Sequence, residues 1–102
     1  MTTKDDKMII ALDYDDTYTR DPLLWNWFVE EAQERGHTVY CVTSRYDTQL
    51  DDIEFTLGRL LPEGHVIACN MQPKRMWTQS LNIMVDVWID DNPETIPTQV
   101  IK

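Results

Sequence analysis

The sequence predicts an α/β fold, a three-layer Rossmann-like arrangement around a mainly parallel sheet, and three observations predict it. Four short apolar runs alternate with three helical or helix-opening segments, the order expected of right-handed βαβ crossovers. The runs are brief and nearly uniformly apolar, as parallel strands buried on both faces are. Three of them stop abruptly at polar residues, Asp13, Thr43 and Asp90, as strands do where they leave a sheet at a functional rim.

Met8-Ile9-Ile10-Ala11-Leu12 is the first strand, ending in Asp13-Tyr14-Asp15-Asp16. Asp21 then offers an N-cap and Pro22 suits the first helical position. Leu24, Phe28 and Ala32, with Trp25 and Val29 beside them, form one apolar stripe. Gly36 closes that helix as a C′ glycine. Thr38 to Val42 is the second strand. A second helix follows, with Asp47 as its cap and Leu50, Ile53, Leu57 and Leu60 on one face, closed by Pro62 and Gly64. Val66-Ile67-Ala68 is the third strand, Pro73 opens a short helix, and Ile83 to Ile89 is the fourth strand, interrupted by Asp86. Gln99-Val100-Ile101 is a candidate for a reduced fifth strand.

The 102 residues are expected to form a single domain, spanning 1–102, with a modest core. An apolar content of 42% and four Trp argue for a folded globule. The net charge of −9 argues against a nonspecific nucleic-acid clamp and suits a divalent cation held by clustered carboxylates. Cys41 and Cys69 sit in apolar runs without metal-ligand spacing, so they read as buried, reduced core residues and zinc is not expected. The polar start MTTKDDK has no leader-like apolar stretch, and no run approaches a membrane span. A cytoplasmic protein with no membrane partner is expected.

The strand ends carry the chemistry. Asp13 and Asp15 follow the first strand, Thr43, Ser44 and Arg45 the second, Lys74 and Arg75 come after the third, and Asp90 and Asp91 follow the fourth. Four carboxylates in one crevice cannot all stay ionised without a cation. Oxygen donors without His or thiolate favour Mg2+. With the ion in place, a carboxylate can attack phosphorus, while a hydroxyl, backbone amides and a Lys hold the nonbridging oxygens. Ser44 and Arg45 are candidate substrate-binding residues, with a plain surface role for Arg45 left open. Trp25 and Trp27 are two residues apart and cannot both face the core of one helix. His37 and His65 follow glycines and are expected at the surface.

Taken in order, these residues resemble the haloacid dehalogenase-like superfamily. Ile9-Ile10-Ala11-Leu12-Asp13-Tyr14-Asp15-Asp16-Thr17 resembles its first motif, an apolar strand followed by DxDxT; Val39-Tyr40-Cys41-Val42-Thr43 its second; Lys74 its third; and Val87-Trp88-Ile89-Asp90-Asp91 its fourth. The resemblance implies a magnesium-dependent phosphatase working through an aspartyl-phosphate on Asp13. Asp15 is then the general acid and base, with its backbone carbonyl on the metal, and Thr43 and Lys74 bind phosphate. Asp13 and Asp91 are direct metal ligands and Asp90 a supporting acid. Thr17 shapes the loop at the substrate.

The chain departs from the family pattern at three points. Asp16 stands where many members have Gly, although Asp tolerates left-handed backbone. Lys74 lies close to Asp90 in sequence, which makes Arg75 a rival for the third role. No stretch is long enough for a cap domain, so the phosphorylated substrate is expected to be a macromolecule, or else a second copy of the chain supplies the cap. Competing readings are an idle binding module on the same fold, a receiver-type phosphoacceptor and a metal-dependent nuclease. The receiver reading lacks an Asp after the third strand, and the nuclease reading sits poorly with the charge and with Thr43.

Overall fold

The structure, a computed structural model, describes residues 6–97. Four strands, β1 (Ile9–Leu12), β2 (Thr38–Thr43), β3 (Val66–Ala68) and β4 (Val87–Ile89), form one sheet in the order β3-β2-β1-β4, and every pairing is parallel. Three helices join them: α1 (Pro22–Glu34), α2 (Asp51–Phe55) and α3 (Lys74–Ser80).

Side chains alternate across the strands, so each face has its own core. Ile10, Leu12, Val39 and Cys41 pack against Val29 and Ala32 of α1 and Ile53 of α2. Ala11, Val42, Ile67 and Cys69 point the other way, against Trp77 of α3 and the half-buried Trp88. The result is three layers. Leu12, Val29, Ile53 and Leu57 are fully enclosed, and removing each side chain from water stabilises the fold by about 1.5–3 kcal/mol. Both cysteines are buried and free. Burial pushes the Cys69 thiol up to about 12, against a smaller downward pull from Lys74.

The first helix forms as its sequence dictates. Asp21 Oδ1 accepts from Leu24 N–H, Pro22 takes the first turn, and Lys7 Nζ donates to Arg35 O at the other end. Gly36 follows at φ +91°, where a Cβ would meet the end of the Lys7 side chain. Of the paired tryptophans, Trp25 packs on the core edge-to-face with Phe28, and Trp27 is exposed. Leu24, placed in the apolar stripe by its spacing, is also exposed.

The second helix is shorter than its periodicity predicts. α2 ends at Phe55, and the apolar face continues through a 3-10 turn, Leu57–Leu60. Thr56 breaks it: its hydroxyl donates back to Asp52 O at 2.8 Å and meets Tyr14 Oη at 2.9 Å. Asp47 does not cap this helix, because Leu50 occupies the N-cap position and Asp47 N–H donates to Asn70 Oδ1. The fourth strand is shorter too. Asp86 brackets the start of β1, accepting from Ile9 N–H through Oδ2 and donating its own N–H to Ile9 O. Ile83 and Val85 are loop residues packed against the core of Ala11, Val42, Ile67 and Cys69. The candidate fifth strand at Gln99-Val100-Ile101 lies outside the described residues.

His37 and His65 are half-buried, not surface residues. His37 Nδ1 accepts from Met8 N–H, and His65 stacks on Tyr40 with Nδ1 3.0 Å from Val39 O. Between β1 and β2 the chain holds only a loop, a 3-10 turn (Tyr18–Arg20) and α1, so no cap is inserted there. Among the described residues no helix is long and apolar enough to cross a membrane. The sheet order places β2 on one side of β1 and β4 on the other, which opens a crevice at the carboxyl end of β1.

Candidate active site

Two strand ends deliver acids to that crevice, Asp13 after β1 and Asp90 and Asp91 after β4. Asp13 leaves β1 with its N–H donating to Ile89 O, which ties the first residue past β1 to the last residue of β4. One carboxylate oxygen from each of Asp13, Asp90 and Asp91 lies within 4.8 Å of the others. Asp13 is buried and Asp91 open to solvent. Lys74, the first residue of α3, enters from below: Nζ donates to Asp13 Oδ1 at 2.9 Å and to Asp90 Oδ2 at 2.5 Å. Two of its three N–H donors are committed, and one remains for a ligand.

Asp90 and Asp91 play different parts. Asp90 uses Oδ2 for Lys74 and Oδ1 to accept from Asn92 N–H, so both of its oxygens are engaged. Asp91 accepts at Oδ1 from the Thr17 hydroxyl at 3.2 Å, and the same hydroxyl lies 3.1 Å from Asp13 Oδ2. Thr17 has one hydrogen to share between the two acids and also accepts from Asp91 N–H. It is the cross-brace between β1 and β4.

The electrostatics follow from crowding. Burial pushes the Asp13 carboxyl up to about 6; Lys74 pulls it down, and Asp91 and Asp90 add to the rise. Burial draws Lys74 down, but its hydrogen bond to Asp90 and the attraction of Asp13 more than offset this, so its pKa ends above the ordinary value. The two shifts favour opposite states of one ion pair. The asymmetry is physical: a single ammonium is shared between Asp13 and Asp90, so Lys74 gains from both while Asp13 is only partly compensated. The hydrogen bond with Asp13 holds Asp91 below the usual carboxylate range.

Thr43 is buried at the end of β2 and its hydroxyl accepts from Arg45 N–H. With Ser44, Asp13, Asp15, Lys74, Asp90 and Asp91 it lines a cavity of about 250 Å3. Of the residues expected at the site from sequence, Asp13, Asp15, Thr43, Ser44, Lys74, Asp90 and Asp91 line this cavity, and Thr17 and Arg45 stand outside its lining. The side chains of Asp15 and Arg45 turn toward each other: Arg45 Nη2 and Nε donate to Asp15 Oδ1 and Oδ2 at 2.7 and 2.9 Å. Arg75, the rival to Lys74, lies over the Trp88 ring instead.

Asp16 adopts φ +63°, and its N–H donates to the Thr19 hydroxyl, so it takes the left-handed backbone that Asp tolerates. Met71 lines the cavity without any signal in the sequence. It sits beside Asn70, and both have positive φ, in a turn closed by Gln72 N–H to Cys69 O. Asn70 is a residue that visits left-handed backbone readily, and only that hint pointed to the turn. The turn is zipped to the β2 loop by Asn70 N–H to Arg45 O and Met71 N–H to Ser44 O. A wider groove of about 400 Å3 at the opposite end of the sheet, lined by His37, His65, Gln33 and Leu60 among others, holds no acid cluster.

Comparison with protein-family models, with curated proteins and with solved structures finds no match.

Proposed function

We propose that this chain is a magnesium-dependent phosphohydrolase in which Asp13 is the covalent phosphoryl acceptor and Asp15 the general acid and base. The observation that carries the reading is the convergence of Asp13, Asp90 and Asp91 around Lys74 at the carboxyl end of the central strand. Three carboxylates against one ammonium leave an excess of negative charge, and the donor atoms are all hard oxygens, a set that fits Mg2+. Asp13 and Asp91 would hold the ion, with the main-chain carbonyl of Asp15, which accepts no hydrogen bond among the described residues. Asp90 supports the set through Lys74. A bound magnesium ion supplies charge neutralisation that lets a phosphate dianion approach these acids.

The chain's own residues account for the rest. Asp13 attacks phosphorus, fixed in place by Lys74 on one oxygen and Thr17 near the other. The remaining Lys74 donor and the Thr43 and Ser44 side chains hold the nonbridging oxygens. As the phosphorus–oxygen bond to the leaving group breaks, the proton of the Asp15 carboxyl passes to the departing oxygen. In the second half Asp15 takes a proton from water, the water oxygen bonds to phosphorus, and Asp13 is released with inorganic phosphate.

No cap covers the cavity among the described residues, which suits a phosphate at the end of a macromolecule. A second copy of the chain completing the site is the other arrangement such an opening allows. Hydrolysis of an aryl phosphate tests the reading. Turnover is expected to require Mg2+ and to vanish in Asp13→Asn; equal turnover by Asp13→Asn removes the nucleophile assignment.

A further inference from the structure

We propose that Arg45 and Asp52 form a clamp that positions Asp15 for proton transfer, and thereby set how well the site turns over esters with poor leaving groups. The inference rests on the phosphatase reading and adds two positioning residues to it.

The geometry is specific. Arg45 has five N–H donors in a rigid fork, and all five are occupied. Nε and Nη2 hold the two oxygens of Asp15. Nη1 and Nη2 hold Asp52 Oδ1 and Oδ2 at 2.6 and 3.1 Å, and the second Nη1 hydrogen goes to Gln49 O at 2.8 Å. The guanidinium also lies over the Tyr14 ring, 5.2 Å from its centroid. Tyr14 in turn stacks on Tyr18 and bonds to Thr56. A saturated guanidinium has nothing left for a phosphate unless it gives up a carboxylate.

Asp15 needs such a holder. It sits on a loop with half of its side chain exposed, where a free carboxylate samples several rotamers. A two-point fork fixes both the position and the plane of the carboxylate, and when Asp15 carries the proton to be donated one arm of the fork opens while the other still holds it. Asp52 is on α2, far from the acid cluster in sequence, and its two-point grip fixes the opposite edge of the same guanidinium. The hydrogen bond from Arg45 keeps Asp52 below the usual carboxylate range. The clamp therefore carries its own anionic counterweight, and Arg45 is not drawn into the site by Asp13, Asp90 or Asp91.

The consequence differs between substrates. An aryl phosphate expels a stabilised phenolate and needs little proton donation. An alkyl phosphate expels an alkoxide and needs the proton delivered as the bond breaks. A loosened Asp15 penalises the second class more.

The test compares kcat for an aryl phosphate and an alkyl phosphate at saturating Mg2+ in wild type, Asp52→Asn, Asp52→Glu and Arg45→Lys. Asp52→Asn removes charge at an exposed position without changing shape. It is expected to raise the aryl-to-alkyl ratio of kcat by roughly tenfold. Arg45→Lys, which keeps charge but loses the fork, does the same, and Asp52→Glu returns the ratio toward wild type. Equal loss on both esters in Asp52→Asn, or a higher KM with kcat and the ratio unchanged, overturns the clamp while the phosphatase reading stands. Absence of any Asp13-dependent turnover in the wild type overturns both.

Discussion

Lys74 Nζ donates to Asp13 Oδ1 at 2.9 Å across 61 positions of chain, with 2% and 7% of the two side chains exposed. This contact, with its branch to Asp90, joins α3 to the ends of β1 and β4. Breaking a buried pair by deleting one partner leaves an uncompensated charge, at a cost of about 3–5 kcal/mol. Lys74→Met is therefore expected to lower unfolding stability by about that much in metal-free protein. Urea denaturation in the presence of a chelator measures it. A loss within the range of an ordinary surface substitution contradicts the central place of this contact.

Asp13 gives the metal-free protein a defined pH dependence. Its folded pKa of about 6 lies above the unfolded value of 3.8, so between those values the folded state binds more protons than the unfolded one. Stability from this group is present at low pH and is lost as pH rises through the window, by on the order of 3 kcal/mol. Asp52 and Asp91, held below the usual range by their partners, act in the opposite sense. The comparison with Asp13→Asn isolates the effect: wild type is expected to gain stability relative to the variant as pH falls from 6 to 4. An unchanged difference across that range refutes it.

Magnesium is expected to stabilise the fold by mass action, about 2.7 kcal/mol at one hundred times the dissociation constant. Asp91→Asn removes an open ligand and is expected to abolish the Mg2+-dependent rise in Tm. Glu30→Gln, on the exposed face of α1, leaves that rise intact. Thermal unfolding with and without Mg2+ decides between them, and an equal rise in Asp91→Asn moves the metal elsewhere.

The loop after Asp15 makes a conformational prediction. Asp16 holds φ +63°, a region that Gly enters freely and β-branched residues enter at about 1–2 kcal/mol. Asp16→Gly is expected to be tolerated, whereas Asp16→Val lowers stability by about that amount. Chemical denaturation of the two variants reads the difference.

The fold was legible because its signals are local. β1, β3 and α1 follow directly from apolar runs, an Asp-Pro start and a glycine stop. The second helix was not, because periodicity marks the buried face of Leu50, Ile53, Leu57 and Leu60 but is silent on backbone continuity. Thr56 interrupts it by bonding to Asp52 O and to Tyr14, a residue more than forty positions away. Ile83 to Asp86 misread as strand for a related reason: the residues are apolar, but Asp86 is committed to the start of β1. At the site, Asp13, Lys74, Asp90 and Asp91 were legible from their places at strand and helix ends. The engagement of Arg45 was not, since its five contacts depend on Asp15, Gln49 and Asp52 arriving at one point. Met71 was invisible for the same reason, being placed by a turn zipped to a neighbouring loop.

The most direct measurement is the site of phosphoryl transfer itself. Protein mixed with an excess of aryl phosphate and Mg2+, quenched in acid and digested, is analysed by mass spectrometry for a phosphorylated peptide. The account predicts a hydroxylamine-sensitive phosphoryl group on the peptide spanning Asp13, absent in Asp13→Asn. Turnover accompanied by phosphorylation at a different residue contradicts it.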